Sequence, residues 1–114
     1  MSNFFIIGYG LSGGFGGIHN YEVIETKDES TASMEAWLKA CEEYENYVGN
    51  HGLRDVGDIM EEDDVSLEEA DEIYRDERED WLDYVAYPFS QAMVNKLSGN
   101  HFDNPYKEQT DKLP

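Results

Sequence analysis

The chain has 114 residues, with 26 Asp and Glu against 8 Lys and Arg and a formal net charge of −18. A balance that acidic argues against direct binding to DNA, RNA or an anionic membrane and favours a basic protein as partner. Two Trp, eight Tyr and five Phe argue equally against a disordered acidic tail, which lacks such residues.

In chain order, Asn3 to Gly10 is apolar, β-prone and bounded by glycine, so it reads as a strand. Ile18 to Thr26 alternates well enough to be a second strand, with Tyr21 and Val23 on one face and Glu22 and Ile24 on the other. The simplest arrangement is an antiparallel pair joined by the run GYGLSGGFGG. Gly8, Gly10 and Gly13 match the spacing of a dinucleotide fingerprint, but that mechanism needs a helix to start at the loop, and here a strand pattern follows. The loop is therefore expected to be a hairpin connection with Phe15 at its tip. Exposed, Phe15 would anchor a partner; folded back, it would cap the core.

Lys27 to Thr31 connects to an amphipathic helix over residues 33–49, whose apolar stripe is Met34, Trp37, Leu38, Cys41, Tyr44, Tyr47 and Val48. Gly49, Asn50 and Gly52 stop it. His51 to Met60 reads as a loop or short helical turn. Ser66 and Glu69 have capping-box spacing and open a second helix predicted over 66–86, with Leu67, Ala70, Ile73, Tyr74, Trp81, Leu82 and Val85 inward and Pro88 ending it. A short third helix is predicted near 90–98, with Met93, Val94 and Leu97 inward and Gly99 closing it. The expected fold class is α+β: an N-terminal antiparallel hairpin packed on two long acidic amphipathic helices and a short C-terminal one. Residues 1–100 form one domain, and 101–114 a polar, partly mobile tail that Phe102 and Tyr106 could pin. Two strands alone are marginal, so the tail or a second copy in a homodimer could complete the sheet. Trp37, Tyr44, Trp81 and Leu82 are the predicted core.

Cys41 is the single cysteine, so neither an intramolecular disulfide nor a cysteine metal cluster can form. His19, His51 and His101 have no ligand spacing, and the EEDD run lacks the glycine and distal glutamate of a calcium loop. No metal, no cofactor and no catalytic arrangement is expected. The N-terminus lacks the basic start of a signal peptide, and a cytoplasmic protein is the default.

The dominant feature is Asp58 to Asp83, with fourteen carboxylates against Arg75 and Arg78, a net of −12. The layout FFIIGYGLSGGFGG…NYEVIE, EAWLKACEEYENYVGNHGLRD and EREDWLDY resembles small acidic proteins of bacteriophages and mobile elements, a resemblance that attaches no activity. In charge and size the chain also resembles phage-encoded nucleic-acid mimics of the antirestriction and anti-CRISPR type. That resemblance implies an inhibitor, acting in the host cytoplasm, that occupies a basic nucleic-acid-binding surface of a host defence protein. The partner-binding residues are then expected to be Glu61, Glu62, Asp63, Asp64, Glu68, Glu69, Glu72, Asp76, Glu79, Asp80 and Asp83, with Phe15 as a separate anchor. The alternative is a small-ligand or nucleotide-binding protein using the glycine-rich loop 8–17 with Tyr9 and Phe15.

Overall fold

A computed structural model describes residues 3–113; Met1, Ser2 and Pro114, the last residue of the expected tail, lie outside it. The chain folds as α+β around a four-stranded mixed sheet. Strand β1 (Asn3–Leu11) turns through a short 3₁₀ segment (Gly13–Phe15) into β2 (Gly17–Thr26). Helix α1 (Glu29–Tyr47) follows, then α2 (Val56–Asp63), α3 (Leu67–Trp81), β3 (Leu82–Pro88), α4 (Gln91–Leu97), β4 (His101–Asp103) and α5 (Lys107–Thr110). The strand order is β3-β1-β2-β4. Strand β1 is antiparallel to both neighbours, and β4 lies parallel to β2.

Strand alternation divides the core. Phe5 and Ile7 face α1 and meet Ala32 and Ala36, with Tyr9, Ile24 and Ala86 around them. Ile6 and Val23 face the other way, against Leu97, Met93 and Val94 of α4 and against Phe102 and Tyr106. Both central strands are thus covered on both faces. The segment after residue 100 adds a strand and a helical turn to this layer, and the buried Thr110 hydroxyl donates to the Tyr106 carbonyl at 3.2 Å and accepts from Asn104 Nδ2 at 2.9 Å. Gly10 is dictated by backbone approach, since a β-carbon there would stand 2.3 Å from the Gly17 carbonyl oxygen.

Several expectations are refined or corrected here. The first helix starts at Glu29, because Asp28 caps it by accepting from the Thr31 amide at 2.8 Å. Its expected stripe holds in part: Cys41 and Tyr44 are buried and Trp37, Tyr47 and Val48 half-buried, but Met34 and Leu38 point outward, and Ala32, Ala36 and Ala40 take the buried positions instead. Alanines four residues apart form a smooth ridge that lets the helix lie close on the sheet.

The segment expected to be a loop or short helical turn is helical from Val56 and runs on to Asp63 as α2, opened by a reciprocal capping box between Asp55 and Asp58. At Ser66 half of the expected box is present, the Ser66 hydroxyl accepting from the Glu69 amide at 3.3 Å. The helix predicted to reach residue 86 ends at Trp81, and Leu82–Pro88 pair with β1 from Leu82↔Leu11 to Pro88↔Phe5. Tyr84, Val85 and Tyr87 suit a pleated surface, and pairing satisfies a sheet edge that a longer helix would leave bare. Pro88 ends an edge strand, where its missing N–H costs nothing. Of the predicted core, Tyr44 is fully buried, whereas Trp37, Trp81 and Leu82 are half-buried. No helix among the described residues is long and apolar enough to cross a membrane.

Candidate acidic interface and aromatic pocket

Helices α2 and α3 pair as a hairpin, turning at Asp64, whose φ of 52° puts it in the left-handed region that Asp tolerates better than most residues. One cation ties the two helices together. The Arg54 guanidinium donates through Nη1 to Glu62 Oε2 at 3.1 Å and to Asp63 Oδ1 at 3.0 Å. Through Nε it donates to Glu77 Oε1 at 3.3 Å, and Nη2 closes a second bond to the same carboxylate. These hydrogen bonds, from Glu77 first and then Asp63 and Glu62, raise the Arg54 pKa above its already high ordinary value. The sequence reading missed this residue. Its signal was an isolated arginine just ahead of an acidic run.

The inward row of α3 is Ala70, Tyr74, Glu77 and Trp81, at steps of three and four. Tyr74 meets the buried Tyr44 ring edge-on at 5.7 Å. Arg78 lays its guanidinium over Trp37 at 5.4 Å and Tyr74 at 5.9 Å. The Trp37 indole Nε1 in turn donates to Glu79 Oε1 at 2.9 Å, joining α1 to α3. Leu67, expected inward, is 61% exposed.

The expected partner-binding carboxylates fall into three groups. Glu62 and Asp63 are held by Arg54, and Glu79 by Trp37, with Arg78 3.9 Å away. Asp83 is not on a helix at all; it stands in β3 beside Gly17, half-buried. Glu61, Asp64, Glu68, Glu69, Glu72, Asp76 and Asp80 are exposed, and among the described residues no cation reaches salt-bridge distance of them. Glu69, Glu72, Asp76 and Asp80 advance by three or four residues and so form one row along the outer face of α3, roughly 16 Å long at 1.5 Å per residue. Like charges at this spacing destabilise an isolated helix, and the inward aromatic row offsets that cost.

Phe15 is folded back rather than exposed at a tip. Its ring lies 5.0 Å from Tyr47, 6.0 Å from His51 and 5.6 Å from Trp81, centre to centre. With Gly14 these residues line an open pocket of about 480 Å³. The glycine fingerprint forms no nucleotide cradle of the doubly wound type: Gly8 and Gly10 sit inside β1, and Gly13 opens a three-residue 3₁₀ turn rather than a helix.

Other chemically capable groups are quiet. Burial raises the Cys41 thiol pKa against the opposing charge of Arg78, with smaller upward contributions from Glu79, Glu45 and Glu42. Burial and then the charge of Glu22 raise Tyr9, whose hydroxyl donates to Glu22 Oε2 at 3.1 Å. Among the described residues no three His, Cys, Asp or Glu side chains are gathered as a metal site. No protein-family model, curated protein or solved structure matches this chain.

Proposed function

We propose that the chain is a binding protein whose α2–α3 hairpin occupies a basic, nucleic-acid-binding surface of another protein and so excludes nucleic acid from it. The observation that carries the reading is the row of exposed, unpaired carboxylates on α3, backed by Asp64 and Glu61 at the hairpin turn. The molecule separates its acidic groups: those near Arg54 hold the hairpin together, and those on the outer face have no internal task. An exposed acidic helix edge presents to a basic groove what a nucleic-acid backbone presents, closely spaced negative charge in a row. The molecule measures 56 × 30 × 17 Å, so the row lies on a long, thin body able to enter a groove. The resemblance in charge and size to phage mimics extends the proposal to a defence enzyme of a host cell as the target.

The test is affinity capture from nuclease-treated bacterial lysate with the unmodified chain and with a chain carrying Glu69→Gln, Glu72→Gln, Asp76→Asn and Asp80→Asn. The expected result is a nucleic-acid-binding protein that elutes as salt rises, is displaced by duplex DNA or by RNA, and is lost with the four changes. Single changes should weaken capture modestly, because a groove senses summed potential. Full capture by a folded four-fold variant would overturn the proposal.

A further inference from the structure

The pocket lined by Gly14, Phe15, Tyr47, His51 and Trp81 is set apart from the acidic row by its chemistry, and three observations give it a sign. The first is aromatic. Phe15, Tyr47 and Trp81 are only half-buried, so π surface remains open to solvent, and ring faces attract cations.

The second is the position of the helix ends. Tyr47 is the last residue of α1 and Trp81 the last of α3, so two helices direct their negative ends at one pocket. Helix α1 has no basic residue in its last turn. The one cation in the last turn of α3, Arg78, is turned away over Trp37 and Tyr74.

The third is the nearby charge. The Asp83 carboxylate lies 3.2 Å from where a β-carbon on Gly17 would stand, at the base of the same glycine turn. His51, with a φ of 54°, meets Phe15 and Tyr47 edge-on, the latter at 5.5 Å. Gly13, with a φ of 64°, lets Trp81 approach to 3.0 Å of the place a β-carbon would take.

We propose that this pocket seats an arginine side chain presented by the basic partner. The inference rests on the reading of the chain as a binder of a basic protein and adds to it a specific anchor. Arginine fits the three observations together. Its guanidinium is planar and weakly hydrated, stacks on aromatic faces, and is attracted by the negative ends of helices and by a carboxylate near the pocket. An ammonium matches the charge but not the plane, and a neutral side chain matches the rings but not the charge.

The test needs no partner. N-acetyl-arginine amide is titrated into the full chain at about 0.15 M salt, where the Debye length is about 8 Å, and the Trp81 indole and Phe15 and His51 ring signals are followed by NMR. The expected result is saturable shifts confined to the pocket, with the citrulline, lysine and leucine analogues binding about 3- to 30-fold more weakly. Phe15→Leu keeps apolar bulk but removes a ring, and should weaken arginine binding by a similar factor. His51→Gly suits the positive φ, removes an exposed side chain, and should weaken it less. Equal binding by citrulline, lysine or leucine, shifts spread over the surface, or an unchanged Phe15→Leu would each overturn the proposal.

The two proposals fail separately. The variant neutralised at Glu69, Glu72, Asp76 and Asp80 keeps every ring, so it should still bind the arginine amide within about threefold of the unmodified chain. Arginine binding lost in that variant would place the site on the acidic row and overturn the pocket. Selective arginine binding with charge-independent lysate capture would overturn the mimicry reading while leaving the pocket standing.

Discussion

The sheet with α1 and the α2–α3 hairpin are built on opposite economies. In the first, Phe5, Ile6, Ile7, Val23, Ala32 and Ala36 are buried, and the strands carry apolar residues on both faces. In the second, Ile59 and Ala70 are the buried apolar residues of their helices, and most of the remaining surface is acidic. The sheet is held by apolar area removed from water, which is neither screened by salt nor titrated by pH. The hairpin is held by Arg54, by an aromatic row against Tyr44, Trp37 and Phe15, and by helix caps. A protein can display a dense charge row only on an element that packs through one narrow face. The division of labour between sheet and hairpin is what makes the acidic edge available.

The comparison can be broken first in the core. Ile7→Ala and Ile6→Ala, at residues with no exposed surface, should each cost about 2–5 kcal/mol in urea unfolding and lower the stability of both regions together. Loss of the hairpin alone in either variant would show that the two regions are wired differently from this description.

Arg54→Gln should act the other way round. It leaves Glu62, Asp63 and Glu77 crowded without their cation, so amide exchange should accelerate across α2 and the first part of α3 while β1 and β2 stay protected. Uniform acceleration through the sheet would mean that the clamp supports the whole molecule.

Asp28→Ala sharpens the pH side. Acceptance of the Thr31 amide lowers the Asp28 pKa in the folded chain. The cap therefore contributes stability above the ordinary carboxylate pKa of about 3.9, and loses it as pH falls through the lower folded value. The variant should melt below the unmodified chain at neutral pH, and the gap should close as pH drops below that range. A gap that stays constant into acid would remove the cap from the account.

The smallest effect belongs to Tyr44→Phe. The Tyr44 hydroxyl is buried with no hydrogen-bond partner among the described residues, so removing it should leave stability unchanged or raise it by up to about 1 kcal/mol. A clear loss would reveal a bond that the hydroxyl makes in solution.

Local chemistry determined much of this protein. The FFII run, its glycine boundary and the alternation of NYEVIET specify the hairpin, because period and propensity agree there. Ser66 and Ser90 mark helix starts by satisfying the amides of Glu69 and Met93, which needs only residues three apart. The concentration of acid between residues 58 and 83 is a matter of composition and was legible at once.

Tertiary structure decided the rest. Leu82, Val85 and Tyr87 continue a helical stripe as plausibly as they form a strand, and the choice rests on the free edge of β1, whose paired residues lie 71 to 83 positions away in sequence. The buried face of α1 went to three alanines rather than to Met34 and Leu38, because a flat sheet rewards close approach over side-chain bulk. The sorting of carboxylates into those held by Arg54 and those left free depends on how α2 folds back on α3, and the aromatic pocket exists only where two helix ends and a hairpin turn converge. Short-range hydrogen bonds and side-chain period are written into neighbouring residues. The use of a free sheet edge, a cation shared by three carboxylates and a pocket at two helix ends is set by distances that only the folded chain creates.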